Sequence, residues 1–249
     1  MTASTGGPAT ELSVVMPVYN EGANIERVLR DLLASVDPSV EVMVVYDFDE
    51  DDTVPVAASL AREFPNIRLH KNTVGRGVLN AIKSGFAGAT TPFVLVMMAD
   101  GSDEASAVEP MLKLATGGAD VVAGSRYMRG GGQVGGPRLK RFLSRMAGLS
   151  LHWIAGLPIH DATSNFRLYS RRLLTAVTIE STAGFELGLE LTVKAQRLGF
   201  RLAEVPTTWR DRTAGESRFR LWSWMPHYLR WYRYGLSTRM RGRRRISAP

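Results

Sequence analysis

Four apolar runs punctuate the first hundred residues: LSVVMPV (12–18), VEVMVVY (40–46), IRLH (67–70) and PFVLVMMA (92–99). They are almost continuously apolar and rich in Val, the pattern of strands covered on both faces. Between them the spacing turns helical. Residues 22–35 place Ile25, Val28, Leu29, Leu32 and Leu33 on one side. Residues 53–63 and 76–87 read as the next two helices, the latter opened by Gly75 and Gly77. This alternation predicts an α/β fold with a mostly parallel central sheet flanked by helices and right-handed crossovers. Ligands gather beyond the carboxyl ends of such strands. The expected site is therefore built from residues 17–22, 46–52, 71–77 and 99–104.

The second half is less regular. ADVVAGSRY (119–127) reads as a strand running into a loop, and the Gly-rich RGGGQVGGP (129–137) as a mobile or tightly turned loop. A helix is expected over 138–155, a short strand at NFRLYS (165–170), a helix over 186–198 and a strand at RLAEVPTTW (201–209). Residues 221–236 read as an amphipathic helix. Leu221, Trp224, Met225, Tyr228, Trp231 and Tyr232 fall on one side, and His227, Arg230 and Arg233 on the other. Trp, Tyr and Arg together suit a membrane interface; packing of the same face on the domain is the competing expectation. The expected organisation is a flexible 1–10, one domain over 11–219, the amphipathic helix over 220–237 and a basic tail over 238–249.

Composition narrows the chemistry. The chain has 249 residues, 45% hydrophobic and 22% charged, and no cysteine, which excludes disulfides, thiolate metal sites and a catalytic Cys. The N-terminal stretch lacks the pattern of a signal peptide. No run approaches the roughly 18 apolar residues of a membrane-spanning helix. A cytoplasmic protein is expected, peripheral on the cytoplasmic face of the membrane. The net charge is +7, unevenly placed: the stretch from Ser217 to Pro249 is rich in Arg and has no acid. A basic tail suits nucleic acid or anionic lipid. An acidic pocket opposes a phosphate backbone, so no nucleic-acid partner is expected.

The strand ends carry the chemistry. Asp47, after the second strand, can accept from ribose hydroxyls or base N–H groups. Asp51 can instead orient the following helix. KNTVGRGVLNA offers backbone N–H groups to an anion, but no GxGxxG follows the first strand, which disfavours a dinucleotide site. The fourth run ends in ADGSDE, where Asp100 and Asp103 supply hard oxygen ligands suited to Mg2+ or Mn2+. The same residues fit a solvated helix cap. Arginines in GSRYMRGGG, at Arg138 and in RDRTAGESRF can hold phosphates. The four His (70, 152, 160 and 227) lie outside the metal-like loop.

PVYNE (17–21), VVYDFDEDDT, MADGSD, GSRYMRGG, DATSNFR, GFELGLEL (184–191) and RTAGESR (212–218), in this order, resemble the family 2 glycosyltransferases. The likeness is greatest to the dolichyl- or polyprenyl-phosphate mannose synthase branch. It implies a GT-A fold, a nucleotide-sugar donor with GDP-mannose favoured, a divalent metal, inverting transfer and a lipid-phosphate acceptor. By position, Pro17, Tyr19 and Glu21 line the nucleotide pocket and Asp47 reads base or ribose. Asp100 takes the metal position. Arg126, Arg138, Arg212, Ser217 and Arg218 handle the donor diphosphate and acceptor phosphate, and Glu190 sits near the sugar. The pattern departs at Met98, where the family has the first aspartate of its metal motif, and at Tyr46, where the earlier acidic motif begins. The metal is then expected to be held by Asp100 and Asp103, or by one carboxylate with phosphate and water. With a phosphate acceptor no strong base is needed; with a hydroxyl acceptor, Asp103 or Glu190 is the candidate base. A UDP-glucose donor or sugar-hydroxyl acceptor is the alternative activity. A nucleotide-sugar-binding protein without turnover is the alternative class.

Overall fold

A computed structural model of the chain describes residues 10–37, 39–211 and 221–245, with side chains of the last helix described over 225–237. Strands β1 (Leu12–Pro17), β2 (Glu41–Tyr46), β3 (Ile67–Lys71) and β4 (Phe93–Val96) are parallel, linked by helices α1 (Gly22–Ser35), α2 (Thr53–Glu63) and α3 (Val78–Gly88). The chain then adds α4 (Val108–Thr116), β5 (Val121–Ser125), β6 (Gly132–Val134), α5 (Arg138–Ala155), β7 (Arg167–Ser170), α6 (Arg171–Ala176), α7 (Leu187–Leu198), β8 (Leu202–Pro206), β9 (Thr208–Arg210) and α8 (Leu221–Arg245). The main sheet has the order β3-β2-β1-β4-β7-β5-β8. Only β7 runs antiparallel in it, against β4 and β5.

The unbroken apolar strands are explained by two cores. Along β1 and β2, Val14, Met16, Val42 and Val44 point into the layer holding Ile25, Leu29 and Leu32 of α1. Their neighbours Val15, Met43 and Val45 point into the opposite layer with Ile82 of α3 and Leu187 and Leu191 of α7. Each fully buried side chain of this size contributes about 1.5–3 kcal/mol. Contact with α3 is close: a Cβ on Gly85 would lie 2.3 Å from the Val15 side chain.

Several expectations are corrected. The strand expected over 201–209 breaks at Thr207 into β8 and β9, because β8 stays with β5 while β9 leaves to pair with β6. The Gly-rich loop therefore contains a strand, with Gly130, Gly135 and Gly136 at positive φ making its turns. Helices α4 and α6 had no sequence expectation. The helix expected to end near 237 continues to Arg245, so its backbone runs into the segment read as a basic tail. Its aromatic face is used internally: Trp231 is buried beside Leu151, Ala155 and Val193, and Tyr228, Tyr232 and Leu236 pack on the same cluster. That is the domain-packing expectation, not the membrane one, for the described side chains.

Candidate active site

The carboxyl ends of β1 to β5 form one rim. At its near end the loops after β1 and β2 are tied together. Asn20, at φ 52, gives its N–H to both carboxylate oxygens of buried Asp51, each at 3.1 Å. Asp51 also accepts the N–H of Thr53 at 2.9 Å, which orients the start of α2. Glu21 N–H donates to Thr53 Oγ1 at 2.9 Å and Gly22 N–H to Asp52 at 2.8 Å. Much of the acidic cluster thus holds the backbone of PVYNE in place. Asp47 ties the third loop: Asn72 Nδ2 and Gly77 N–H each donate to it at 2.7 Å. Tyr19 packs on Phe48 with ring centres 5.5 Å apart and planes inclined at 64°, and the Arg76 guanidinium lies 5.4 Å from the Phe48 ring centre, so aromatic and cationic side chains cluster on these loops. Phe48 and Arg76 lie in the expected loops 46–52 and 71–77, but neither was singled out as a site residue.

At β4 the acidic knot is tightly folded. Asp100 is buried and accepts Ser102 N–H at 3.0 Å across Gly101, which sits at φ 73. Asp103 accepts the backbone N–H of Met98 at 2.9 Å. Asp103 therefore braces the backbone of Met98. Burial pushes its carboxyl up to about 7; the Met98 hydrogen bond pulls it down, the Asp100 charge adds to the rise and Arg126 opposes it. Without a cation the charged form of Asp103 is disfavoured here; a hard divalent ion beside the two carboxyls would favour it. Among the described residues no group of three His, Cys, Asp or Glu converges as a metal cage. Such an ion would draw the rest of its oxygen shell from phosphates and water, which is the usual habit of Mg2+.

The far end of the rim is basic. Arg126, following β5, is gripped by Asp161 through two parallel hydrogen bonds of 2.7 and 3.0 Å, and by Ser144 and Thr163 at 3.1 and 2.9 Å. Burial alone would raise the Asp161 carboxyl, but the charge and hydrogen bonds of Arg126 outweigh it and hold it below the ordinary range. A cavity of about 470 Å³ opens here, lined by Arg126, Tyr127, Phe142 and three arginines of α5, Arg138, Arg141 and Arg145. Arg141 and Arg145 were not anticipated, although their spacing from Arg138 places all three along one flank of a helix. Asp161, the anchor of Arg126, was read only as part of DATSNFR.

Two expected site groups resolve differently. Glu190 does not line the rim. It is fully buried and accepts the N–H groups of Glu180 and Ser181 at 2.6 and 2.8 Å and the Lys194 ammonium at 2.7 Å, so it braces the turn before α7. Arg212, Ser217 and Arg218 lie outside the described residues. Pro17, Tyr19, Glu21, Asp47, Asp100, Asp103, Arg126 and Arg138 all stand at strand ends or on the loops and helix starts that follow them.

Residues 13–178 match the model of Glycosyl transferase family 2. The chain is 31% identical over 221 residues to polyprenol monophosphomannose synthase of Mycolicibacterium smegmatis, covering 86% of this chain and 83% of that one. It is 33% identical over 209 residues to undecaprenyl-phosphate mannosyltransferase of Micrococcus luteus, covering 82% and 85%. Its fold is similar to that of glucosyl-3-phosphoglycerate synthase from Mycobacterium tuberculosis, solved with UDP, with a TM-score of 0.65, 23% identity, and 92% and 80% coverage. The same relative solved with Mn2+, UDP and product superposes with the same TM-score of 0.65 at 22% identity. With strand order, acidic rim and matched model in agreement, this chain belongs to glycosyl transferase family 2 and is a glycosyltransferase of GT-A fold.

Proposed function

We propose that this glycosyltransferase moves mannose, with inversion, from GDP-mannose to a polyprenyl phosphate at the membrane surface. The observation that carries the reading is the placement of a four-arginine cavity beside the acidic rim at Asp100. An acceptor that is itself a phosphate needs cationic walls and no strong base. The names of the two relatives above support the same acceptor class and sugar.

Roles follow from position. Tyr19, Phe48 and Arg76 offer the base a face, while Pro17, Glu21 and Asp47 hold the loops around the nucleoside. Asp100 is the ligand for Mg2+ or Mn2+, with Asp103 behind it as brace and second negative charge. When bound there, the divalent ion neutralises charge growing on the leaving diphosphate. Arg126, fixed by Asp161, presents a preset positive field to the reacting phosphates, and Arg138, Arg141 and Arg145 hold the acceptor phosphate. Arg212, Ser217 and Arg218 belong by motif to the same phosphate set. The acceptor oxygen attacks the anomeric carbon from the face opposite the leaving group. The new bond is C1–O to the lipid phosphate, and the broken C1–O electron pair leaves with GDP. The acceptor is already anionic, so no proton must be removed. Among the described residues no helix is long and apolar enough to cross a membrane, and the reading takes contact with the lipid to be peripheral.

The test is transfer of labelled mannose to polyprenyl phosphate by wild type and Asp100→Asn with Mn2+. Losing one such electrostatic group costs on the order of 10²-fold or more in turnover. Near-wild-type turnover by a folded Asp100→Asn sinks the metal role. Transfer to a sugar hydroxyl in preference to polyprenyl phosphate, offered side by side, sinks the acceptor.

A further inference from the structure

Over its described side chains the aromatic face of α8 is spent on the domain, yet a different helix shows large apolar side chains to solvent. On α5, Leu139 is 55% exposed, Phe142 60%, Met146 49%, Trp153 72% and Ile154 57%. On a helix turning 3.6 residues per turn, Leu139, Phe142, Met146 and Trp153 fall along one continuous stripe. The opposite side of α5, carrying Gly148, Leu151 and Ala155, is buried against the domain. Between the two, Arg138, Arg141 and Arg145 run along the flank that lines the four-arginine cavity. No acidic residue occurs anywhere in Arg138–Ala155.

We infer that α5 is the membrane-docking surface of this protein: its apolar stripe enters the interface of an anionic lipid bilayer while its arginine flank faces the headgroups. Three observations select a bilayer as the occupant. The stripe combines large apolar residues with a terminal Trp and an acid-free cationic edge, which is the composition of interfacial helices. The cationic edge complements an anionic leaflet, where each near-surface basic residue adds about 1 kcal/mol. The stripe also continues directly into the cavity through Phe142, so a lipid phosphate could pass from headgroup plane to arginine cavity without its chain leaving the apolar phase.

This surface rests on the lipid-phosphate reading for its purpose but is tested apart from it. The full chain is sedimented with vesicles of phosphatidylcholine, with and without phosphatidylglycerol and without any polyprenyl phosphate. Wild type binds the anionic vesicles, less so at high salt. The triple variant Leu139→Ser, Met146→Ser, Trp153→Ser, all exposed positions, loses at least about tenfold in binding, since burying each apolar side chain is worth a tenfold factor or more. Its turnover on a short, water-soluble isoprenyl phosphate stays at the wild-type level, which shows it folded. A control, Leu229→Ser on the exposed side of α8 (42% exposed), leaves vesicle binding unchanged. The inference is overturned if the triple variant binds as wild type does. It is equally overturned if Leu229→Ser weakens binding more than the triple variant, or if light scattering shows that the stripe instead joins two copies of the chain. Stripe-dependent vesicle binding with no transfer to any isoprenyl phosphate supports the docking surface and sinks the proposed activity.

Discussion

The grip of Asp161 on Arg126 gives the sharpest test of the site's construction. Asp161→Asn keeps the shape and one acceptor oxygen, which can still take the N–H groups of Thr163 and Ser164. It removes the charge facing a guanidinium whose side chain is 11% exposed, against 0% for Asp161. It also replaces one of the two oxygens that receive the 2.7 and 3.0 Å hydrogen bonds from Arg126 with an amide that cannot accept. Removing one partner of a buried pair costs about 3–5 kcal/mol, because the other charge is left uncompensated. The retained amide oxygen points to the lower end, about 3 kcal/mol. For a chain of this size that is a fall in Tm of roughly 6–12 °C. Urea unfolding of wild type, Asp161→Asn, Arg126→Met and the double variant is the assay. The double variant leaves neither charge stranded, so it is expected to be more stable than the sum of the single losses by about 1–3 kcal/mol. The pH dependence has a fixed sign. The Asp161 carboxyl is held low in the folded state, so its stabilisation is present at neutral pH. It is lost as pH falls below the ordinary value of about 3.9 and on through the lowered one. The gap between wild type and Asp161→Asn should therefore close in acid. A loss under about 1 kcal/mol, or strict additivity in the cycle, refutes the argument that this pair holds Arg126 in place.

Asp103 predicts the opposite slope. Its carboxyl stands at about 7 when folded against about 3.9 unfolded. The folded state then holds a proton that the unfolded state has released, so metal-free protein loses stability as pH rises from about 4 to about 7. Thermal melts with chelator should show Asp103→Asn gaining on wild type over that window; parallel profiles dismiss the buried, charge-crowded description. Trp231→Ala should cost about 3–5 kcal/mol in chemical unfolding, as for other buried Trp truncations, with vesicle binding unaltered; a stable variant that no longer binds vesicles reverses the assignment of α8.

How far the sequence could be read depends on range. The βαβ order, the rim loops and the positions of Asp47, Asp51 and Asp100 were legible because they rest on local periodicity and on the rule placing ligands beyond strand ends. Motif resemblance added Arg126 and Arg138. It misplaced Glu190, since a motif cannot tell a carboxylate facing substrate from one taken up by backbone N–H groups and a lysine. The break between β8 and β9 was hidden because partner choice, β5 for one and β6 for the other, is made by strands distant in the chain. Asp161 was visible as a residue but not as the anchor of Arg126, thirty-five positions away.

The amphipathic helices show the division most clearly. Sequence alone determined that 138–155 and 221–236 would each be helices with apolar sides, because spacing sets which residues share a face. It could not say which side would be covered. Over the described side chains, only the tertiary arrangement turned the aromatic side of α8 onto α5 and α7 and left Leu139, Phe142, Met146 and Trp153 of α5 largely exposed. The reason is physical: hydrophobic attraction is non-directional and grows with the area removed from water, so the partner of an apolar face is decided by which other surfaces the whole fold brings to it.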